Sequence, residues 1–155
     1  MYPQRKSPRL RGYDYSLTGA YFVTICTVHR LWLFGDVVED HMQFSPLGHL
    51  VQACILAIPN HHNAEIYNHI VMPNHVHLLI GLHGGCNLST VVGSFKSSVT
   101  RQARQTAMID AEQPIWQARY HDHIVRSEDD FHRINAYIAS NPETWSVDRL
   151  FSSSG

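Results

Sequence analysis

The stretch Val71–Ile80 most constrains what this chain can fold into. It places His75 and His77 two residues apart in an apolar run that is typical of a β-strand. Because successive side chains of a strand point to opposite faces, the two histidines share one face, and Val76 and Leu78 lie on the other. The apolar face predicts that the strand is buried and stiffly held. The run therefore predicts a central strand with a pair of imidazoles on one side of a sheet.

Two imidazoles on one face form a candidate metal clamp. Neutral nitrogen ligands leave the metal its full positive charge and leave coordination positions open, which suits the polarisation of a phosphodiester. With 12 histidines in 155 residues, some pairs arise by chance. A second pair, His121 and His123, has Asp122 at its centre, which favours a solvated edge strand. The residue two positions after His77 is Leu79, so the chain lacks the third histidine of the His-x-His-x-His motif of nucleotide hydrolases.

Length and composition favour one cytoplasmic domain. A chain of 155 residues with 44% hydrophobic and 16% charged residues fits a single globular core, predicted over residues 1–150, with a loose tail over 151–155. No apolar run approaches a membrane span, so we expect no membrane association. The basic N-terminus is not followed by an apolar signal segment, and three widely spaced cysteines predict reduced thiols.

The periodicity of the remaining chain predicts an α+β fold. Alternating β-branched and aromatic residues indicate a first strand over Ala20–Val28, with Leu31–Val38 as its hairpin partner. Helical spacing follows the Ser45-Pro46 cap and is expected to end at Pro59. Further elements are predicted as strands over Ala64–Val71, His75–Leu82 and Ile115–Val125, and as helices over 87–107 and from Ser127 to Asn141. This order predicts an antiparallel sheet with helices packed mainly on one face.

The last helix offers an attacking group for the metal-polarised phosphate. Tyr137 and Asn141 are one turn apart and therefore project from the same side of the helix end. A divalent cation favours the phenolate of a nearby tyrosine, and the Asn141 amide oxygen can join the two histidines as a third neutral ligand. The hard oxygen donor favours Mg²⁺ or Mn²⁺. Tyr120, close to His121, is the rival nucleophile.

The charge pattern is uneven although the formal net charge is only −1. Residues 1–16 form a basic arm, and a second positive cluster lies on the polar side of the predicted helix over 87–107. The second cluster could be either a solvated face or a phosphate contact, and it consists of Lys96, Arg101 and Arg104.

Six blocks in order give the chain a family resemblance. It resembles the HUH single-tyrosine transposase superfamily, in particular the REP-associated tyrosine transposases, over nearly its whole length. The blocks that carry the resemblance are 5–15, 19–27, 72–77, 93–97, 115–117 with 122–126, and 137–142. The resemblance implies an RRM-like, ferredoxin-like core.

The resemblance also implies a DNA nuclease and strand transferase that acts on single-stranded DNA folded into hairpins. His75, His77 and Asn141 match the positions that hold Mg²⁺ or Mn²⁺, and Tyr137 matches the nucleophile that forms a 5′-phosphotyrosine. The basic arm matches a segment that helps to grip palindromic DNA. The DNA-binding candidates are Arg5, Lys6, Arg9 and Arg11 in the arm, with Lys96, Arg101, Arg104, Arg119 and Arg126 in the rest of the chain. Trp116 is a possible stacking surface for a base, although core packing is the simpler expectation.

Two other functions remain open from the sequence. A hairpin-binding protein without net transposition would use the same surface without covalent chemistry. The hypothesis of a histidine-rich zinc-binding or storage protein rests on composition alone, and such a protein would hold several zinc ions. The sequence leaves the oligomeric state open between a monomer and a homodimer.

Overall fold

The computed structural model describes residues 19–145, which form an α+β fold of one four-stranded sheet, one two-stranded sheet and three helices. The basic arm with Arg5, Lys6, Arg9 and Arg11, and the tail over 151–155, lie outside the described residues. The strands are β1 Gly19–Cys26, β2 Gly35–Val38, β3 His41–Phe44, β4 Ala64–Met72, β5 His75–Leu82 and β6 His121–Ile124. The helices are α1 Pro46–His61, α2 Leu88–Gln105 and α3 Glu128–Ser140.

The four-stranded sheet has the order β4-β5-β1-β6, and every pair in it is antiparallel. All eight residues of β5 are buried. The predicted central position of the histidine strand is therefore confirmed. The register places Thr24 of β1 opposite His77 and Cys26 opposite His75. The histidine pair thus lies near one end of the sheet, beside the end of β1.

The helices α1 and α2 cover one face of this sheet. Their apolar stripes pack on the strand residues that alternate with the histidines, including Val76, Leu78 and Ile80. The predicted caps of these two helices form, because the side chains of Ser45 and Asn87 accept hydrogen bonds from backbone N–H groups in the first turns. This face holds most of the apolar core.

The third helix, α3, covers the opposite face. Ile134 and Ile138 pack with Ala20 of β1 and Leu79 of β5, the residue two positions after His77. Two of the three helices therefore share one face, as predicted, and α3 lies alone on the face that carries the histidine pair. This separation positions the candidate site.

The predicted hairpin between the first strand and Leu31–Val38 is wrong. β1 already has β5 and β6 as neighbours, so neither of its edges is open to a third strand. Instead β2 pairs with β3 through a tight turn in which Glu39 and Asp40 have positive φ angles. Gly35 is needed at the start of β2, because an added Cβ would overlap the carbonyl oxygen of Gln43.

Two predicted boundaries also differ from the structure. Pro59 does not end α1, which continues to His61; because Pro59 lies in the last turn, the loss of its N–H removes only one helical hydrogen bond. The last strand is shorter than Ile115–Val125. Trp116 forms only an isolated bridge with Thr27, and regular pairing begins at His121.

Two expectations from composition can be compared with the described part of the chain. No helix within residues 19–145 is long and apolar enough to cross a membrane. Cys26 and Cys54 are buried, Cys86 is half-buried, and no disulfide joins these three described cysteines.

Candidate active site

His75 and His77 lie side by side on the α3 face of the sheet, with their ring centroids 4.6 Å apart. His75 is fully buried and His77 is 3% exposed. The Nδ1 atom of His75 is 2.8 Å from Oδ1 of Asn74, and Nδ1 of His77 is 2.9 Å from Oγ1 of Thr24. An amide oxygen only accepts, so Nδ1 of His75 carries a hydrogen and donates a hydrogen bond to Oδ1 of Asn74. The lone pair of His75 is therefore on Nε2, the nitrogen that a metal would approach.

Burial keeps His75 neutral. Desolvation lowers the pKa of His75 well below its ordinary value, and the neighbouring His77 lowers it further. A neutral imidazole is the form that binds a metal, because a protonated ring has no lone pair to offer. The geometry and the protonation state of His75 thus agree with a ligand role.

The α3 helix brings Tyr137 against His77, one member of this pair. The rings of Tyr137 and His77 have centroids 5.4 Å apart, and the same tyrosine meets Phe22 edge-on at 6.0 Å. Phe22 in turn stacks on His77 at 5.0 Å. Tyr137 remains 43% exposed, whereas the histidines beneath it are buried. A phenol at this position is open to an incoming chain and is adjacent to the candidate metal ligands.

Asn141 follows Tyr137 by one helical turn and caps the C-terminus of α3. It is fully buried. Among the described residues, neither its Oδ1 nor its Nδ2 atom has a hydrogen-bond partner. One turn further on, Trp145 stacks on His75 with ring centroids 6.1 Å apart. The segment from Tyr137 to Trp145 therefore begins at His77 and ends at His75, with Asn141 halfway along it.

These residues fit a divalent cation. Buried polar atoms are nearly always hydrogen bonded, so the solitary Nε2 of His75 and the solitary amide of Asn141 call for a ligand. Two imidazole nitrogens and one amide oxygen form a neutral set of three that is suited to Mn²⁺ or Mg²⁺. Within residues 19–145 there is no group of three or more His, Cys, Asp or Glu side chains that could hold a metal.

The rival nucleophile, Tyr120, lies elsewhere. It packs against the core beneath α1 and α2, on the face opposite Tyr137. Burial and the nearby Asp122 carboxylate both raise its pKa, which disfavours the phenolate. Trp116 also belongs to that core, with its ring 5.3 Å from Phe34 and 5.5 Å from Phe95. The geometry thus favours Tyr137 over Tyr120 as the nucleophile. It also favours core packing as the role of Trp116 over stacking on a base.

The predicted DNA-binding residues of α2 are remote from this site, because α2 covers the other face of the sheet. Lys96 is half-buried; its Nζ donates to the carbonyl of Gln117 at 2.8 Å, and burial lowers its pKa. Arg101 and Arg104 are exposed and, with Lys96, line an open surface groove of about 490 Å³. Arg119 and Arg126 are exposed on either side of β6. The structure therefore brings together the metal and nucleophile candidates but separates them from the basic face of α2.

Sequence reasoning missed four residues that shape the site: Thr24, Asn74, Phe22 and Trp145. Asn74 precedes His75 in the chain, so its polar side chain beside a candidate ligand was a usable signal. The other three meet the histidines through strand pairing or through the end of α3. Those contacts depend on tertiary structure that a local pattern does not contain.

The fold is shared with solved transposase structures. A structure of a REP-associated tyrosine transposase bound to a REP hairpin matches with a TM-score of 0.65 and 21% identity, over 86% of this chain and 72% of that one. The crystal structure of a provisionally assigned transposase from Deinococcus radiodurans R1 matches with a TM-score of 0.51 and 23% identity, over 88% of this chain and 96% of that one. At these identities the likeness establishes the fold.

Sequence comparison establishes the family. An uncharacterised protein of Haemophilus influenzae is 35% identical over an alignment that covers 95% of this chain and 93% of that protein. A family profile described as "Transposase IS200 like" matches residues 18–141, a range that includes both histidines, Tyr137 and Asn141. The resemblance drawn from the sequence blocks is thereby confirmed: the chain belongs to the IS200-like transposase family.

Proposed function

We propose that this protein is a metal-dependent endonuclease and strand transferase for single-stranded DNA that folds into hairpins, acting through a 5′-phosphotyrosine intermediate. One observation carries the proposal. In a chain of the IS200-like transposase family, the only strongly buried pair of adjacent histidines in the described residues lies directly beneath an exposed tyrosine, Tyr137. The candidate nucleophile thus lies beside the candidate metal ligands, which supports the proposal because a transesterification needs both alignment and charge stabilisation.

The covalent step uses the phenol of Tyr137. Its Oη attacks the scissile phosphorus, the bond from phosphorus to the 3′-oxygen breaks, and a bond from phosphorus to Oη forms. The phenolic proton passes to solvent, and the departing 3′-oxygen takes a proton from water. The products are a 5′-phosphotyrosine and a free 3′-hydroxyl. Attack by the 3′-hydroxyl of a second DNA end reverses the step, and no nucleotide triphosphate is needed because the phosphodiester is exchanged rather than hydrolysed.

The metal-holding residues in this proposal are His75 and His77, through Nε2, and Asn141, through Oδ1. A bound Mg²⁺ or Mn²⁺ would supply positive charge that polarises the phosphate oxygens and favours the phenolate. The chain itself supplies the alignment. Asn74 and Thr24 hold the two rings by their Nδ1 atoms, and α3 holds Tyr137 above them.

The family and the distribution of charge support the substrate class that we propose. The structural neighbour described above is bound to a REP hairpin, and hairpin DNA is the substrate that we propose here. Exposed arginines could contact its phosphates: Arg119 and Arg126 flank β6, and Arg101 and Arg104 lie on α2. The arm with Arg5, Lys6, Arg9 and Arg11 would add further contacts.

Labelled hairpin DNA from the repeats that flank the protein's own gene provides the test. The protein is incubated with this DNA in Mn²⁺, in Mg²⁺ or in chelator, and denaturing gels are examined for a covalent protein–DNA band. We expect a band that requires the metal and is absent in Tyr137→Phe and in His75→Ala.

Two matched variants control for non-specific effects. Tyr120→Phe removes the rival phenol, and His61→Ala removes an exposed histidine far from the pair; both are expected to form the adduct normally. Hairpin binding by the wild type without any adduct would contradict the proposal and would instead indicate a hairpin-binding protein.

A further inference from the structure

Asp130, in the first turn of α3, is a buried carboxylate that the proposed chemistry does not use. It is only 6% exposed, whereas its neighbours Glu128 and Asp129 are exposed. A buried charge persists in a protein when it is paired and hydrogen bonded. The hydrogen-bond partners of Asp130 therefore show which elements of the fold it joins.

The partners of Asp130 come from three parts of the chain. Oδ2 accepts from Nε2 of His123 at 2.9 Å and from the backbone N–H of Arg126 at 3.2 Å. Oδ1 accepts from the guanidinium of Arg133, one turn further along α3. His123 belongs to β6, and Arg126 lies in the connection to α3. Asp130 thus ties the start of α3 to the β6 edge of the sheet.

A second tie joins α3 to the opposite edge. Nδ2 of Asn68, in β4, donates to Oδ1 of Asn135 at 2.8 Å. Because the sheet order is β4-β5-β1-β6, the two ties lie on the two outer strands. Between them are β5 and β1, which carry His77 and Phe22. A helix held at both edges of a sheet is restrained from rolling about its own axis.

We propose that Asp130 is a positioning residue for Tyr137. Through His123 and the Arg126 amide, and together with the Asn68–Asn135 bond, it fixes the rotation of α3 and thereby the place of the phenol over His77. The inference deepens the proposed function, since it takes Tyr137 as the nucleophile. A misplacement of about 1 Å can lower the rate of a chemical step about 100-fold.

The kinetic test compares variants of Asp130 with a matched variant of its neighbour. Asp129→Asn removes the same charge from the same helical turn but breaks none of these contacts. At saturating hairpin DNA, the first-order rate constant of adduct formation should fall about 10- to 100-fold in Asp130→Ala, less in Asp130→Asn and His123→Ala, and less than about 2-fold in Asp129→Asn. The final adduct yield and hairpin affinity should stay unchanged. A merely structural role would lower the thermal midpoint and the adduct yield and leave the rate constant as in the wild type, which would overturn the proposal.

A second readout does not depend on catalysis. In protein labelled with 3-fluorotyrosine, the Tyr137 resonance is identified among the seven tyrosines by its absence in Tyr137→Phe. We expect Asp130→Ala and His123→Ala to shift or broaden this resonance, because Tyr137 would change its position relative to the Phe22 and His77 rings, while Asp129→Asn leaves it in place. An unchanged Tyr137 resonance in Asp130→Ala contradicts the inference. If the wild type forms no adduct, the proposed function fails, and the fluorine spectrum still decides the role of Asp130.

Discussion

The two faces of the central sheet are built from the same strands but bury different chemistry. Under α1 and α2 the buried side chains are apolar, and alternate residues of β5 such as Val76 and Leu78 pack there. Under α3 the same strand buries His75 and His77, next to an Asn141 amide without a partner among the described residues. The alternation of side chains lets one strand stabilise the fold on one face and prepare a site on the other.

This division has an energetic consequence. Burying an unsatisfied polar group costs about 1–3 kcal/mol, so the solitary atoms of His75 and Asn141 weaken the α3 face. The apolar face offsets that cost. We therefore expect substitutions on the apolar face to lower stability, and substitutions at the histidines to affect ligand binding more than stability.

Neighbouring residues of β5 give the largest expected contrast. His77→Ala should lower Mn²⁺ affinity about 100-fold or more, because loss of even an outer partner of a metal ligand costs about 10- to 100-fold. Leu78→Ala should lower the free energy of unfolding by about 2–5 kcal/mol, since it leaves a cavity at a residue that is 1% exposed. Calorimetric titration with Mn²⁺ and urea unfolding measure the two effects.

Either of two results would contradict the expected contrast between His77→Ala and Leu78→Ala. A His77→Ala protein that binds Mn²⁺ as the wild type does would remove His77 from the metal site. A Leu78→Ala protein of unchanged stability would show that the α1 and α2 face does not hold the fold.

A smaller effect is expected at Thr24, whose hydroxyl contacts Nδ1 of His77. Thr24→Val keeps the shape of the side chain but removes the hydroxyl, so the ring is no longer held in one orientation. Mn²⁺ affinity should fall about 10-fold, with little change in hairpin binding. Thr90→Val, on α2, is the matched control. Equal Mn²⁺ affinity in Thr24→Val and the wild type would contradict an orienting role.

The pH dependence of stability should report on the buried His75. Burial lowers the pKa of His75, so below its ordinary pKa of about 6.5 the unfolded chain binds a proton that the folded chain does not. The free energy of unfolding therefore has its full value above about pH 6.5 and falls as the pH is lowered, by at most about 1.4 kcal/mol per pH unit for this one histidine. Burial acts in the same direction on the pKa of His69.

Urea unfolding at pH 7.5 and 5.5 measures this loss of stability. His75→Gln should reduce the difference between the two pH values, and His61→Gln should leave it unchanged. An identical difference in the wild type and in His75→Gln would mean that His75 does not carry the effect.

The smallest effect is expected at the exposed arginines of α2. Arg101→Ala and Arg104→Ala should each weaken hairpin binding and reduce the slope of log affinity against log salt by about 1 if the residue contacts a phosphate. The rate of adduct formation at saturating DNA should not change, because α2 lies on the face opposite Tyr137. If the slope of log affinity against log salt is the same as in the wild type, these arginines do not contact phosphates and belong to a solvated surface.

The sequence predicted the parts of the site that depend on local periodicity. The shared face of His75 and His77 follows from the two-residue repeat of a strand, and the spacing of Tyr137 and Asn141 follows from the helical turn. The histidine pair lies next to Tyr137 and Asn141 only because α3 covers the face of the sheet that carries the histidines. The sequence pattern does not specify that face, and only the resemblance suggested it.

The errors arose where pairing is decided by competition between strands. Leu31–Val38 was expected to pair with β1, but β5 and β6 take both edges of β1, and the turn at Glu39 and Asp40 closes a separate hairpin. That turn has no Gly or Asn to mark it. The contact of Trp145 with His75 was likewise invisible, because it joins residues that are 70 positions apart.

Peptide mapping of the covalent adduct tests the central claim most directly. Trypsin cleaves after Arg119, Arg126, Arg133 and Arg149, so Tyr120 and Tyr137 fall in different peptides, 120–126 and 134–149. After reaction with hairpin DNA in Mn²⁺ and digestion of the DNA, mass spectrometry should find the nucleotide remnant on peptide 134–149. A remnant on peptide 120–126 would place the chemistry on the opposite face of the sheet and contradict this account.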